Sequence, residues 1–342
     1  MIQYFVEQGG IFLGRMIQAE PGIFIGPISR VLGAIINFLY GVVYFITPVG
    51  ALGIAIILIT IMVRTALLPT GFKMMRNTMK MRAMKPEMDK IKEKYGGTKD
   101  PELRRKMNAE MQALNAKHGV NMLASCLPML VTWPLFIALF SVLSNAFLFV
   151  GSVTEAYSAL SHALINQGAD FLSDVVAPLA ERRVPQGMTI NIMNVTDLNR
   201  VIHVFDANDW SAIFYNLSGA DYTHIHHLYE SKMAIQSFIG LNLIEPAGTN
   251  WPGVILPVLS AGTMLLSQFL MTRSNPSVDE QSKTIQRVTM IIFPLMFGWF
   301  TIGAPAGVGL YWVVLNLFMI AQHYLIMNYY KRKDSKADAK AA

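Results

Sequence analysis

Charge is what this chain of 342 residues has least of: 15% of it is Asp, Glu, Lys or Arg, against 53% hydrophobic. A soluble domain carries about a quarter charged residues, and here the charges crowd into a few segments, leaving long stretches with almost none. That distribution suits a bilayer, whose hydrocarbon core rejects charge. A single cysteine, Cys126, excludes an intrachain disulfide framework and a Cys-rich metal site. The sequence has no phosphate-binding glycine-rich loop. Its apolar stretches hold no Ser/His/Asp or metal-ligand constellation, so no ATP hydrolysis, no other enzymatic activity and no cofactor are expected. The N-terminus lacks the basic start and small-residue cleavage site of a secretory signal, and it offers no cysteine for thioether lipid anchoring.

Five stretches are apolar enough to cross a membrane: 49–72, 123–150, 251–271, 288–302 and 308–327. The fourth is short and needs a thin or locally thinned bilayer; it meets the fifth through the helix breakers Gly303-Ala304-Pro305-Ala306-Gly307. Val31–Ile46 could also cross, or could lie in the interface with Tyr40 and Tyr44 at headgroup level. The interfacial reading is preferred, within an N-terminal segment 1–48 outside the cell. Basic loops stay cytoplasmic. Residues 73–120 hold 13 Lys/Arg and 6 Asp/Glu, whereas 144–252 hold 4 and 10. The basic segment and the basic tail 328–342 are therefore expected inside, and the N-terminus and the 151–250 segment outside.

The cytoplasmic segment reads as a helical hairpin. One helix has Pro86 near its start, a stripe of Met84, Met88, Ile91 and Tyr95, and a stop at Gly96-Gly97. The next has Asp100 as N-cap, Pro101 at its first turn, a stripe of Leu103, Met107, Met111 and Leu114, and an end at Gly119. Eight of the 22 methionines fall between Lys73 and Val120. Flexible thioethers suit a surface that must meet many apolar sequences, and equally they pack well in helices.

Arg64 is the most informative residue. It lies in the uncharged run Ile59-Thr60-Ile61-Met62-Val63-Arg64-Thr65-Ala66-Leu67-Leu68-Pro69, where a buried charge costs roughly 2.5–3.5 kcal/mol on insertion scales. Intramembrane charge is a functional candidate by default, although a side chain about 12 Å from the cytoplasmic end could partly snorkel. None of the five stretches contains an acid to neutralise it. Water or neutral polar groups must then solvate it: Thr60 one turn away, and Gln268, Tyr311, Trp312 and Asn316 from other spans. Together these suggest a hydrated cationic cavity open to the cytoplasm.

At these residues the sequence resembles the YidC-type membrane protein insertases. Arg64-Thr65-Ala66-Leu67-Leu68-Pro69 is similar to that family's first core span, and Met84-Lys85-Pro86-Glu87-Met88 with Ile91-Lys92-Glu93-Lys94-Tyr95 to its cytoplasmic hairpin. Residues 117–128 resemble the entry to its second span and residues 305–316 its last, in the family's order, over about two thirds of the chain. The resemblance implies an all-α polytopic protein of the bacterial cell membrane. Its five transmembrane helices would surround a cytoplasm-open hydrophilic groove, with Arg64 as positive centre and Thr60 and Trp312 or Tyr311 in the lining. It also implies nascent membrane proteins, the ribosome, the Sec translocon and membrane lipids as partners, with Met84, Met88, Ile91, Met107 and Met111 of the hairpin as contacts.

Two features depart from the family pattern. The lipoprotein signal usual in related Gram-positive proteins is absent, and the external 151–250 segment is far longer than in compact members, so it reads as an insertion of unnamed fold. His224, His226 and His227 near Asp221 could bind a metal, but a solvated polar loop is the preferred reading. The rival from another class is a small transporter or anion channel that uses Arg64 for selectivity; against it stand the lack of an internal repeat and of paired broken helices.

Overall fold

A computed structural model describes residues 25–96, 100–120, 123–184, 190–248, 252–274 and 280–341. Residues 1–24, Trp251 at the start of the third expected span and 185–189 lie outside them. The protein is an all-α polytopic membrane protein. Among the described residues, Ile25–Ile46, Ile255–Arg273 and Ala306–Tyr330 are long and apolar enough to cross a bilayer, and the bent pair Ala51–Ala66 and Leu68–Met81 makes a fourth when taken as one span. Thr132–Ser144 and Val288–Gly303 are shorter apolar helices. The chain forms two compact bodies: 1–59, 136–260 and 297–312, and 60–135, 261–296 and 313–342.

In the first body, helix α1 (Ile25–Ile46) buries one stripe, Ser29, Leu32, Gly33, Ile36, Tyr40 and Val43, at the three- and four-residue spacing of a helix face. A side chain at Gly33 would run into the Phe149 ring, and Asn37 Oδ1 accepts from the Gly151 amide at 2.8 Å. Its other face carries exposed Val31, Phe38, Val42 and Phe45. The helix is thus apolar on both its buried and its exposed sides.

The 151–250 segment, without a fold in the sequence reading, is a helical subdomain. Helices Gly151–Ile165, Val195–His203, Ala207–Tyr215 and Gly219–Gln236 enclose Leu160, Leu164, Val201, Ile202, Ile213 and Ile225, all essentially inaccessible to water. Asn194 caps one helix through the amides of Thr196 and Asp197. Asp206 and Asp209 form a capping box on the next, and Arg183 clamps both carboxylates. Within this core the Lys232 amine stands 5.1–5.2 Å from the centroids of Tyr157, Trp210 and Tyr229. Burial pushes it down to about 8, and the Glu245 carboxylate partly opposes that shift. Tyr157 Oη accepts from Gln236 Nε2 at 3.0 Å and lies 3.4 Å from His203 Nδ1.

The exit of this subdomain is sewn to the turn at 303–307. The amides of Ala306 and Gly307 donate to the carbonyls of Glu245 (2.8 Å) and Leu243 (2.7 Å), and those of Ala247 and Gly248 donate to Ala304 (3.0 Å) and Ile302 (2.9 Å). Helix ends leave such groups without intrahelical partners, and lipid cannot supply them. One short segment therefore satisfies the end of the helix Glu280–Gly303 and the start of the helix Ala306–Ala341.

In the second body, two helices, Lys85–Tyr95 and Pro101–Lys117, form the hairpin. Gly96 at φ +51° closes the first, and the Asp100 side chain caps the second through the Glu102 amide at 2.9 Å. Lys80 Nζ donates to the carbonyls of His118 and Gly119 at 3.1 Å each, capping the second helix's far end, where a cation is favoured.

Candidate functional site

The helix carrying Arg64 breaks directly after it. Ala51–Ala66 gives way to Leu68–Ala83 across Leu67, with a bend of 51°. The local cause is Pro69, which brings no N–H for the carbonyl four residues back, that of Thr65, and whose ring crowds the preceding turn. Just beyond it the Thr70 amide and hydroxyl donate to the Leu67 carbonyl at 3.1 and 2.6 Å, a tightened turn at the break. Arg64, half-buried, therefore sits in the last turn of its helix. There the carbonyl ends of the peptide dipoles favour a cation. The break divides the stretch 49–72, which hydropathy alone presents as continuous, and gives Arg64 this electrostatic support.

Three helices each carry into the second body two polar residues at helical spacing. Thr60 and Arg64 share a face of the first, four residues apart; Thr263 and Ser267 share a face of Ile255–Ser274; Asn316 and His323, two turns apart, share a face of the last helix. Thr60, Ser267 and Asn316 are 1–2% exposed. Asn316 Nδ2 donates to Thr263 Oγ1 at 3.2 Å, tying two helices by a polar contact that apolar surroundings strengthen. Gln268 is half-buried beside Ser267. His323 and Asn77 are buried polar groups that the sequence reading passed over. For His323 the signal was there, an imidazole in a span without charge. Nearby, a side chain at Gly71 would run into the Gln322 amide, and the Phe72 and Tyr329 rings meet edge-on at 5.8 Å.

Tyr311 and Trp312 belong to the first body, apart from the body that holds Thr60, Arg64, Gln268 and Asn316. There Trp312 is enclosed by Phe136 at 5.1 Å, Phe297 at 4.7 Å and Phe300 at 5.6 Å, and Tyr311 stacks on Phe136 at 6.3 Å. Both are buried, in an aromatic cluster that fixes their rings.

Of the hairpin methionines, Met84 and Met88 are buried with Leu114 and Val120, and Met81, Ile91 and Met111 pack against them. Met107 is half-buried and Leu103 is 38% exposed. The hairpin's apolar stripes thus face each other, and Met84 and Met88 reach another chain only if its helices part. Glu110 fastens the outer edge, accepting from Lys94 Nζ at 2.6 Å and Tyr95 Oη at 2.8 Å. The three histidines 224, 226 and 227 lie on a helix. His226 stacks on Tyr222 at 5.3 Å, and among the described residues no group of three potential metal ligands forms.

Compared with known proteins, residues 44–334 match the family described as 60Kd inner membrane protein. The chain belongs to this family. The matched range takes in Arg64, the hairpin, the aromatic cluster and the 151–250 subdomain. Among 60Kd inner membrane protein relatives, "Membrane protein insertase MisCA" of Bacillus subtilis is 27% identical over 274 residues, covering 80% of this chain and 69% of the relative. "Membrane protein insertase YidC 2" of Bacillus anthracis is 28% identical over 303 residues, 89% of this chain and 79% of its own length. The chloroplast "ALBINO3-like protein 1" of Arabidopsis thaliana is 26% identical over 281 residues, 81% of this chain and 43% of its own.

Proposed function

We propose that this chain is a membrane protein insertase that moves nascent membrane proteins from the cytoplasm into the bilayer through a hydrated groove, without ATP. The observation that carries this reading is Arg64, a half-buried cation at a helix break, in a family whose relatives bear the insertase name. In this mechanism five spans, 49–72, 123–150, 251–271, 288–302 and 308–327, surround the groove. The hairpin and basic tail lie in the cytoplasm; the 151–250 subdomain and the N-terminus lie outside. Arg64, Thr60, Gln268 and Asn316 line the path.

A substrate delivered by the ribosome, alone or beside the Sec translocon, meets the hairpin with its apolar segment and slides along the groove into lipid. Its short acidic flank crosses where water and Arg64 lower the desolvation cost. A potential positive outside pulls that flank by about 2.3 kcal/mol per charge per 100 mV.

The test is Arg64→Ala and Arg64→Lys in a strain depleted of the native protein, with insertion of a single-span substrate read by protease protection. Loss with Ala and retention with Lys is expected, because the mechanism requires a positive charge and no bidentate fork. Normal insertion in Arg64→Ala would defeat the charge-based mechanism. Solute flux through the purified protein in liposomes, with no nascent-chain crosslink near Arg64, would favour a channel instead.

A further inference from the structure

The antiparallel strands Ser237–Phe238 and Leu241–Asn242 are joined by a two-residue turn, Ile239-Gly240, with φ +51° and +76°. Two successive left-handed residues make the tight turn that usually holds Asn-Gly. Ile239 is the one non-glycine residue with positive φ among those described; left-handed backbone is disfavoured for an L-residue, and a β-branched one there is a genuine outlier. It is also 83% exposed, so no packing inside the protein compensates the strain.

The position of the turn is fixed by its neighbour. Side chains at Gly50 or Gly53 would run into the Phe238 ring, so the hairpin is seated on the first turn of the helix that leads to Arg64. Around that seat the chain exposes Phe45 (92%), Ile46 (77%) and Val49 (81%). No charged residue occurs from Val31 to Val63 or from Ser237 to Ile244. A large uncharged apolar patch at the end of a membrane-spanning helix is continuous with the surface that lipid already covers.

We propose that the 239–240 turn is a lipid anchor. Ile239 enters the boundary between headgroups and acyl chains, in the leaflet where the Ala51–Ala66 helix begins, and it seats the external subdomain on the bilayer together with Phe45, Ile46 and Val49. The occupant is lipid because the exposed apolar side chains Phe45, Ile46, Val49 and Ile239 lie in two uncharged stretches of sequence, beside the start of an apolar helix. The proposal is independent of what the protein transports.

The experiment uses the full chain, Cys126→Ser, in phosphatidylcholine–phosphatidylglycerol nanodiscs, with an environment-sensitive fluorophore on Ile239→Cys or on Tyr215→Cys, a position 89% exposed on the same subdomain. Lipid carrying a doxyl quencher near the top of its acyl chain should quench the first label several-fold more than the second. Equal quenching overturns the proposal, whether the label at 239 is found in water or shielded by protein. A label-free measurement covers the fluorophore's own affinity for lipid. Ile239→Asn suits left-handed backbone, so its Tm in detergent should match or exceed that of the parent. In nanodiscs, amide exchange over 237–242 should nevertheless be several-fold faster than in the parent; unchanged exchange overturns the proposal.

Discussion

The carbonyl of Glu245 accepts the amide hydrogen of Ala306 at 2.8 Å, so the residue whose carboxylate lies within the field of buried Lys232 also caps the last helix. A substitution that pushes this seam apart should be felt by the whole first body. A side chain at Gly307 would lie 3.0 Å from the Leu243 carbonyl and 3.1 Å from Ile56 Cδ1. Gly307→Val is expected to destabilise by about 1–3 kcal/mol, read as a lowered Tm in detergent. Gly262→Ala, which meets nothing within 4 Å, should be neutral or slightly stabilising.

The bend beside Arg64 rests on one ring. Pro69→Ala restores the missing N–H and lets the helix run on. Spin labels at Met62→Cys and Arg76→Cys in the Cys126→Ser chain should then report a longer mean distance by pulsed electron resonance. An unchanged distance would assign the 51° bend to the packing of Gly71 and Phe72 against the last helix. Insertion activity should fall with the straightening, because Arg64 would lose its place at a helix end.

His203 makes the 151–250 subdomain acid-sensitive. Its imidazole lies 4.8 Å from the Phe147 ring, and burial, joined by the charge of Lys232, lowers it from 6.5 to about 4. The unfolded chain takes up a proton near the higher value while the folded chain refuses it until the lower one. Stability therefore falls as pH drops from 6.5 to about 4. His203→Phe should flatten that part of the Tm-against-pH curve, and an equally steep curve in the variant would shift the cause to other groups.

Met88 stitches the hairpin of Lys85–Tyr95 and Pro101–Lys117. Met88→Ala opens a hole beside Met84, Leu114 and Val120 and should cost about 2–4 kcal/mol locally. Amide exchange over 85–117 should rise by at least tenfold. If parting of the two helices is how substrate reaches the methionines, crosslinking to nascent chains should increase in the same variant.

The class of this protein was legible because charge is so unevenly spread, and Arg64 stands out as a candidate because a guanidinium in an uncharged run is costly. Asp100 and Pro101 likewise announce the helix start the structure has, since capping is local chemistry. The break at Leu67 was missed despite Pro69, because hydropathy runs straight through it. The 151–250 subdomain resisted reading for a different reason. Its core joins partners far apart in the chain, such as Tyr157 with Gln236, 79 residues away, and Lys232 with three rings from three helices. Burying an amine among aromatics leaves no periodic mark in a sequence. Nor do backbone hydrogen bonds, so the seam at 243–248 was invisible.

That seam also has a direction in time. Residues 243–248 leave the ribosome about sixty residues before Ile302–Gly307, so the strip that finishes the last two helix ends is made before the ends exist. The final hairpin to emerge thus arrives at a ready-made template, and the subdomain that looks like an interruption of the membrane core becomes the jig on which that core is completed.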